Sequence, residues 1–251
     1  MGQQTTVEVR AIAAGGKFLG NDIGGAEITV RDAATGEWIA GGRVRGDSGV
    51  TGEIMDQPRD WGTPVPVDQS SVFTLTLDLV QPRLLEIAAH GPLGSLQSAR
   101  RVTVQQWVAP GMDLTEAQGV QVVIPGQLVE IVDPPTHTQL AAPGPVTIRA
   151  NVAMMCGCPI TSPDGGQTAY WPQGDFDVTA LVYVLVDENP AQLQQVVPLS
   201  YAGTPSQFTG SWTMPAVGFY EIVVVARQTG TANTGVDRTT VFTLPPSPPA
   251  G

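Results

Sequence analysis

The chain has 251 residues, of which 42% are hydrophobic and 14% charged, and its formal net charge is −11. That apolar content supports a buried core and excludes a disordered chain, and the length fits one large domain or two of ordinary size. With a single lysine (Lys17) and no concentration of arginine, nucleic acid and anionic membrane surfaces are excluded as partners.

The opening MGQQTTVEVR lacks a charged stretch followed by an apolar one, so no export signal is expected there. No run reaches the length of a transmembrane helix, and no membrane insertion is expected. The 29 glycines and 22 prolines follow no triplet period, so they read as turns between strands and not as collagen. Alternation of period two dominates. VEVRAIAA (7–14) and AEITVRD (26–32) read as strands. The turn ATGE follows, with Gly36 free to take positive φ, and WIAGGRV returns as a strand. Residues 45–70 hold Gly, Pro and Asp in abundance and read as a long loop. SVFTLTLDLV (71–80), RLLEIAAHG (83–91) and RRVTVQQWV (100–108) are further strands. VQVVIPGQLVEIVDPP (120–135) is a strand, a Pro-Gly break and a second strand. Asp133-Pro134-Pro135 then stiffens the backbone and removes donors.

The second half repeats the style. PVTIRANVAMM (145–155) is a strand, 156–174 a loop, and FDVTALVYVLVD (176–187) a long strand. QQVVPLSY (194–201), SQFTGSWTMP (206–215), GFYEIVVVAR (218–227) and RTTVFTL (238–244) complete the set. The tail PPSPPAG reads as a linker or a free end. Strands about every ten residues, split by turn signals, imply sandwiches, because one twisted sheet cannot cover its own apolar face. The expected fold is all-β, with two tandem antiparallel β-sandwich domains at 1–127 and 128–245 and a Pro-rich tail at 246–251.

Two segments carry resemblances. FTGSWTMPAVGFYEIVVVARQTG resembles bacterial immunoglobulin-like domains, through Trp212, Pro215, Gly218, Tyr220, Ile222, Val224 and Ala226. Many such domains continue with an Asp and a Gly-Asn turn. Here Arg227-Gln228-Thr229-Gly230 stands in that place, so no calcium role follows from the resemblance. GGAEITVRDAATGEWIAGGRVRGDSG (24–49) resembles transthyretin-like or carboxypeptidase-regulatory-like sandwiches, in which a Gly-Ala opens a strand and a T-G turn leads into the next. The resemblance implies spacers, adhesion units or accessory domains, and fold alone names no function.

Chemistry concentrates in AMMCGCPIT (153–161). Met154, Met155, Cys156 and Cys158 are soft ligands suited to Cu(I), and Gly157 permits the turn that lets both thiols reach one ion. Strand alternation would place the two methionines on opposite faces, one of them in the core. His90 and His137 lie far off in sequence and complete no zinc spacing. The same cysteines could instead close a small, strained and reducible disulfide, or serve as reduced thiols in a structural loop ended by Pro159. A bridge this short removes little unfolded-state entropy, so it does not staple the fold. YWPQGDFD (170–177) offers Tyr170, Trp171 and Asp175 as a partner- or ligand-binding loop, able to stack on a sugar or a protein side chain, unless Trp171 folds down as a cap. Asp164, Asp175 and Asp177 supply oxygen ligands at no defensible Ca2+ spacing. Arg45-Gly46-Asp47-Ser48 reads RGDS, displayed if it lies in a loop.

No nucleophile elbow, zinc-protease helix or phosphate loop occurs, so no enzyme is expected. The leading expectation is a non-enzymatic structural or accessory protein, with a protein partner or a homo-oligomer, in an envelope, extracellular or virion assembly. As a mature chain it would be extracellular or periplasmic, with a virion or cytoplasmic complex as the alternative. A copper-binding or thiol redox protein, and a carbohydrate-binding or adhesion module, are the other two readings. No cofactor other than copper is implied.

Overall fold

The computed structural model describes residues 1–56, 63–163, 169–186 and 191–245. The expectations placed on Asp164, on the strand end at Asp187 and on the tail 246–251 lie outside the described residues. The fold is all-β and built of antiparallel sandwiches. It divides into two compact units: Met1–Gly126 with Met154–Cys158, and Gln127–Ala153 with Pro159–Gly251.

In the first unit, strand β1 (Gln3–Ala13) lies between β5 (Ser70–Leu79) and β8 (Val120–Ile124). The β5 pairing is antiparallel, with Val7 opposite Leu75, and the β8 pairing is parallel, with Ala11 opposite Val122. β4 (Arg45–Ser48) extends that sheet beside β5. The second sheet runs β3 (Trp38–Arg43), β2 (Glu27–Asp32), β6 (Arg83–Gly91) and β7 (Arg100–Val108). Alternate residues of four strands make the core: Val7, Val9 and Ala11; Ile28 and Val30; Leu85, Ile87 and Ala89; Val122 and Ile124. All are fully buried. This is the period-two rule, in which one face of each strand turns to the opposing sheet.

The segment 45–70 is more ordered than its composition suggests. Arg45–Ser48 is a strand and Thr51–Met55 a short helix. RGDS is therefore not a displayed loop. Arg45 pairs with Val72, and the positive φ of Gly46 and a bulge at Asp47/Ser48 bend the edge. Ile54 seats the helix against Ile12 and Phe18.

The second unit contains β9 (Gln127–Asp133), β10 (Thr138–Gln139), β11 (Pro145–Met154), β12 (Phe176–Leu185), β13 (Gln192–Tyr201), β14 (Gln207–Thr213), β15 (Gly218–Gln228) and β16 (Thr234–Thr243). Hydrogen bonding runs in the order β10-β16-β15-β12-β13-β14-β11-β9. β13 carries the ladder from one layer to the other, pairing with β12 along most of its length and with β14 only at Ser200 and Tyr201. The interior is again alternate residues: Ile148, Ala150 and Val152 against Ala180, Val182, Ile222, Val224 and Ala226.

Two aromatics close this core. Trp212 and Tyr220 meet edge to face with ring centroids 5.0 Å apart. Tyr220 Oη donates to the carbonyl of Ala216, 3.1 Å away and four residues upstream. That is the tyrosine corner of immunoglobulin-like sandwiches. Two residues on, where antibody domains carry a cysteine, stands the fully buried Ile222. A buried aliphatic side chain stands where such a disulfide would begin.

Candidate functional site

β11 ends at Met154 in a tight hairpin. The N–H of Gly157 donates to the carbonyl of Met154 at 2.8 Å, and the N–H of Met154 donates to the carbonyl of Cys158 at 3.0 Å. Gly157 sits at φ +79°. A type I turn followed by a left-handed glycine is the usual three-residue hairpin, here formed by Met155, Cys156 and Gly157. Two features reserve that place for glycine. A side chain there would adopt a rare φ, and its Cβ would lie 2.4 Å from Ile23 Cγ2.

The turn folds both cysteines to one side. Their Sγ atoms are 2.9 Å apart and joined by a hydrogen bond, and both are free thiols. Cys156 is 1% exposed and Cys158 8%. Alternation does not separate the methionines as the sequence suggested. Met154 closes the strand, Met155 opens the turn, and both are fully buried.

The surroundings come from the start of the chain. At the end of β1 the N–H of Gly16 donates to the Ala13 carbonyl at 3.0 Å, and the N–H of Ala13 to the Lys17 carbonyl at 2.8 Å. This turn lies directly against Cys156, since a Cβ on Gly16 would come 3.1 Å from Cys156 Sγ. The S–H of Cys158 favours the Cys156 thiolate most, and burial opposes it. The N–H groups of Lys17 and Cys158 and the charge of Lys17 add to the first effect, so Cys156 is drawn down to about 7. Cys158 moves the opposite way. The proton it shares with Cys156 is hard to remove, burial adds to this, and the charges of Cys156 and Asp22 oppose a second anion. Once one proton has left, the pair holds one thiolate and one thiol. Lys17 is itself held by the Gly49 carbonyl at 3.3 Å and Thr51 Oγ1 at 2.9 Å.

In the loop 170–177 the expected partner-binding residues differ in exposure. Trp171 is only 6% exposed and its face is not presented. Tyr170 is half-buried beside it, with ring centroids 5.8 Å apart. Asp175 is exposed, and Asp177 pairs with Arg227. Among the described residues no three of His, Cys, Asp and Glu converge on a common point. His90 lies in β6 opposite Glu27 and Arg101. His137 packs on Phe242, with ring centroids 4.9 Å apart.

Sequence reading missed two features. Lys17 and Ile23 reach the cysteines from more than a hundred residues away, and the only hint was that Lys17 is the one lysine. Trp38 and Trp107, 52% and 63% exposed, stand outward on the β3-β2-β6-β7 sheet. The strict alternation of β7 was enough to place Trp107 outside.

No family model matches the chain, and no curated protein does. Among solved structures, it is similar to the fibronectin(III)-like modules of Clostridium thermocellum CbhA, at 13% identity and TM-score 0.30, covering 96% of this chain and 94% of that one. It is also similar to the teleost fish polymeric Ig receptor ectodomain, at 13% identity and TM-score 0.24, covering 98% and 100%. An engineered protein aligns at 18% identity and TM-score 0.32, covering 51% of this chain and 22% of that one. These neighbours carry no argument about function, and the immunoglobulin-like assignment rests on the strand order and the tyrosine corner.

Proposed function

We propose that the protein is a non-enzymatic structural or accessory module that holds a protein partner or a second copy of itself. The observation that carries this reading is an aromatic face on the second unit. Leu185, Phe219 and Phe242 are direct cross-strand neighbours on β12, β15 and β16, so their side chains share one face. Phe219 is 51% exposed and stacks on Phe242 with ring centroids 5.6 Å apart. His137 also packs on Phe242. Exposed apolar surface of this kind marks interaction sites in soluble proteins. On the first unit, Trp38, with Arg31 5.5 Å over its ring, and Trp107 offer a second outward surface.

The same reading takes 1–127 and 128–245 as the functional domains and places them outside the cell or in the periplasm. It takes the first as transthyretin-like. The segment 24–49 supports this by forming the hairpin β2–β3 around a turn at Gly36, φ +74°. Size-exclusion chromatography with light scattering on native material tests the proposal. An oligomer or complex that Phe219→Lys disperses supports it. A strict monomer with robust turnover of a substrate overturns it.

A further inference from the structure

We propose that Cys156 and Cys158 bind one Cu(I) ion as a buried two-thiolate site, with Lys17 balancing its charge. The proposal is independent of the partner-binding role.

The first support is pre-organisation. The hairpin has already placed both sulfurs on one side of the turn, 2.9 Å apart. Thiolate–metal bonds are about 2.3 Å long, so the sulfurs open by roughly 1.7 Å when an ion enters in line between them. Cys158 is the more exposed of the two, at 8% against 1%. The second is ligand count. Among the described residues no third His, Cys, Asp or Glu joins the pair. Zinc in structural sites takes four ligands, and calcium takes six to eight oxygens. Cu(I) prefers thiolate and thioether sulfur and is content with two thiolates.

Charge and size point the same way. Two thiolates and one Cu(I) leave a single negative charge. Lys17, whose charge already acts on Cys156, answers it with one positive charge. The buried thioethers Met154 and Met155 flank the pair, so the surroundings are soft as well as dry. At 1% exposure Cys156 is closed to a macromolecular disulfide, whereas a single ion is small enough to reach it through local opening of the hairpin. In the binding step two S–Cu bonds form, the remaining S–H bonds break, and the protons leave to solvent. No electron is transferred.

The test is an anaerobic Cu(I) titration of the full, reduced, metal-free chain against the chromophoric chelator bathocuproine disulfonate. One equivalent of Cu(I) is expected to leave the chelator, with thiolate-to-copper absorption appearing in the near ultraviolet. Cys156→Ser and Cys158→Ser are each expected to weaken binding by about a hundredfold or more, and Lys17→Gln by roughly tenfold. Circular dichroism checks that each variant is folded. Should the cysteine variants fail to fold, the wild type still decides. Loaded protein is expected to be alkylated at both thiols more slowly than metal-free protein, read as a time course of intact mass. Three results overturn the proposal: no copper taken from the chelator by folded, reduced protein; undiminished affinity in Cys156→Ser; or a Cys156–Cys158 disulfide in the isolated protein that, once reduced, takes up no copper. The last would assign the pair to thiol exchange.

Discussion

The hairpin at Gly157 sets the geometry of the dithiol, and Gly157→Ala tests it directly. The substitution acts twice. It forces an alanine to φ +79°, which costs about 1 kcal/mol for an L-residue in the left-handed region. It also sets a Cβ 2.4 Å from Ile23 Cγ2, more than 1 Å inside an ordinary carbon–carbon contact of about 3.5–4.0 Å. Overpacking costs roughly 1–3 kcal/mol. Ile23 is only half-buried and can swing outward, so the lower part of that range applies. The sum is about 2–3 kcal/mol. Native-state alkylation of the reduced, metal-free protein reads this locally, because Cys156 is 1% exposed and reacts only when the hairpin opens. At tenfold per 1.4 kcal/mol, Gly157→Ala is expected to speed alkylation of Cys156 by about 30- to 150-fold at fixed pH. In an Ile23→Ala background the steric part vanishes, leaving about fivefold to tenfold from the backbone alone. A rate unchanged by Gly157→Ala refutes the left-handed turn. An equal effect in both backgrounds refutes the contact with Ile23.

Four further outcomes follow from the same structure. Trp212→Ala empties the centre of the second sandwich and is expected to destabilise that unit by about 3–5 kcal/mol, read by urea denaturation. Tyr220→Phe removes only the bond to the Ala216 carbonyl and is expected to lose about 1 kcal/mol, with the fold unchanged by circular dichroism. The N–H of Thr35, the Arg83 guanidinium and the N–H of Ala34 hold Asp32 below the ordinary carboxylate range. Its contribution to the stability of the first unit is therefore full above the unfolded-state value of about 3.9 and is lost as pH falls through the lower folded value. A pH series of denaturation midpoints should show that loss in wild type and not in Asp32→Asn. Phe219→Lys is expected to lower the mass measured by light scattering while leaving the denaturation midpoint within about 0.5 kcal/mol, because the ring is half-exposed.

The strands were legible because each turns one face to a partner sheet. β6 and β7 run over residues 83–91 and 100–108, as the alternation in RLLEIAAHG and RRVTVQQWV requires. β4 was not legible. RGDS has no apolar alternation, and it is a strand only because β5 offers an edge to pair with. The buried methionines were half legible. Alternation was extended one residue past the point where the chain leaves the strand, so Met155 was assigned a face it does not have. Trp171 was ambiguous for a different reason: an aromatic in a Pro-Gly loop has the same local sequence whether it caps a core or greets a ligand.

The dithiol shows where sequence reading stops for a physical reason. Cys156 and Cys158 are separated by one glycine, so their proximity was visible at once. What decides their chemistry is not adjacent. The N–H of Lys17 and its side-chain charge favour one thiolate at Cys156, Asp22 disfavours a second at Cys158, and Ile23 covers the turn. All three come from the segment after β1, brought there by the sandwich and by no local pattern. Taken alone, Cys-Gly-Cys is compatible with a metal site, a disulfide or an inert loop. One buried cation and two N–H groups lie beside one sulfur, and no His, Asp, Glu or further Cys joins the pair among the described residues; the proposed copper site rests on these groups. A disulfide would leave Lys17 without a nearby sulfur anion to answer. A singly negative two-sulfur complex of a monovalent ion uses both sulfurs and the Lys17 charge, and the ion must displace the proton that burial and Asp22 hold on Cys158.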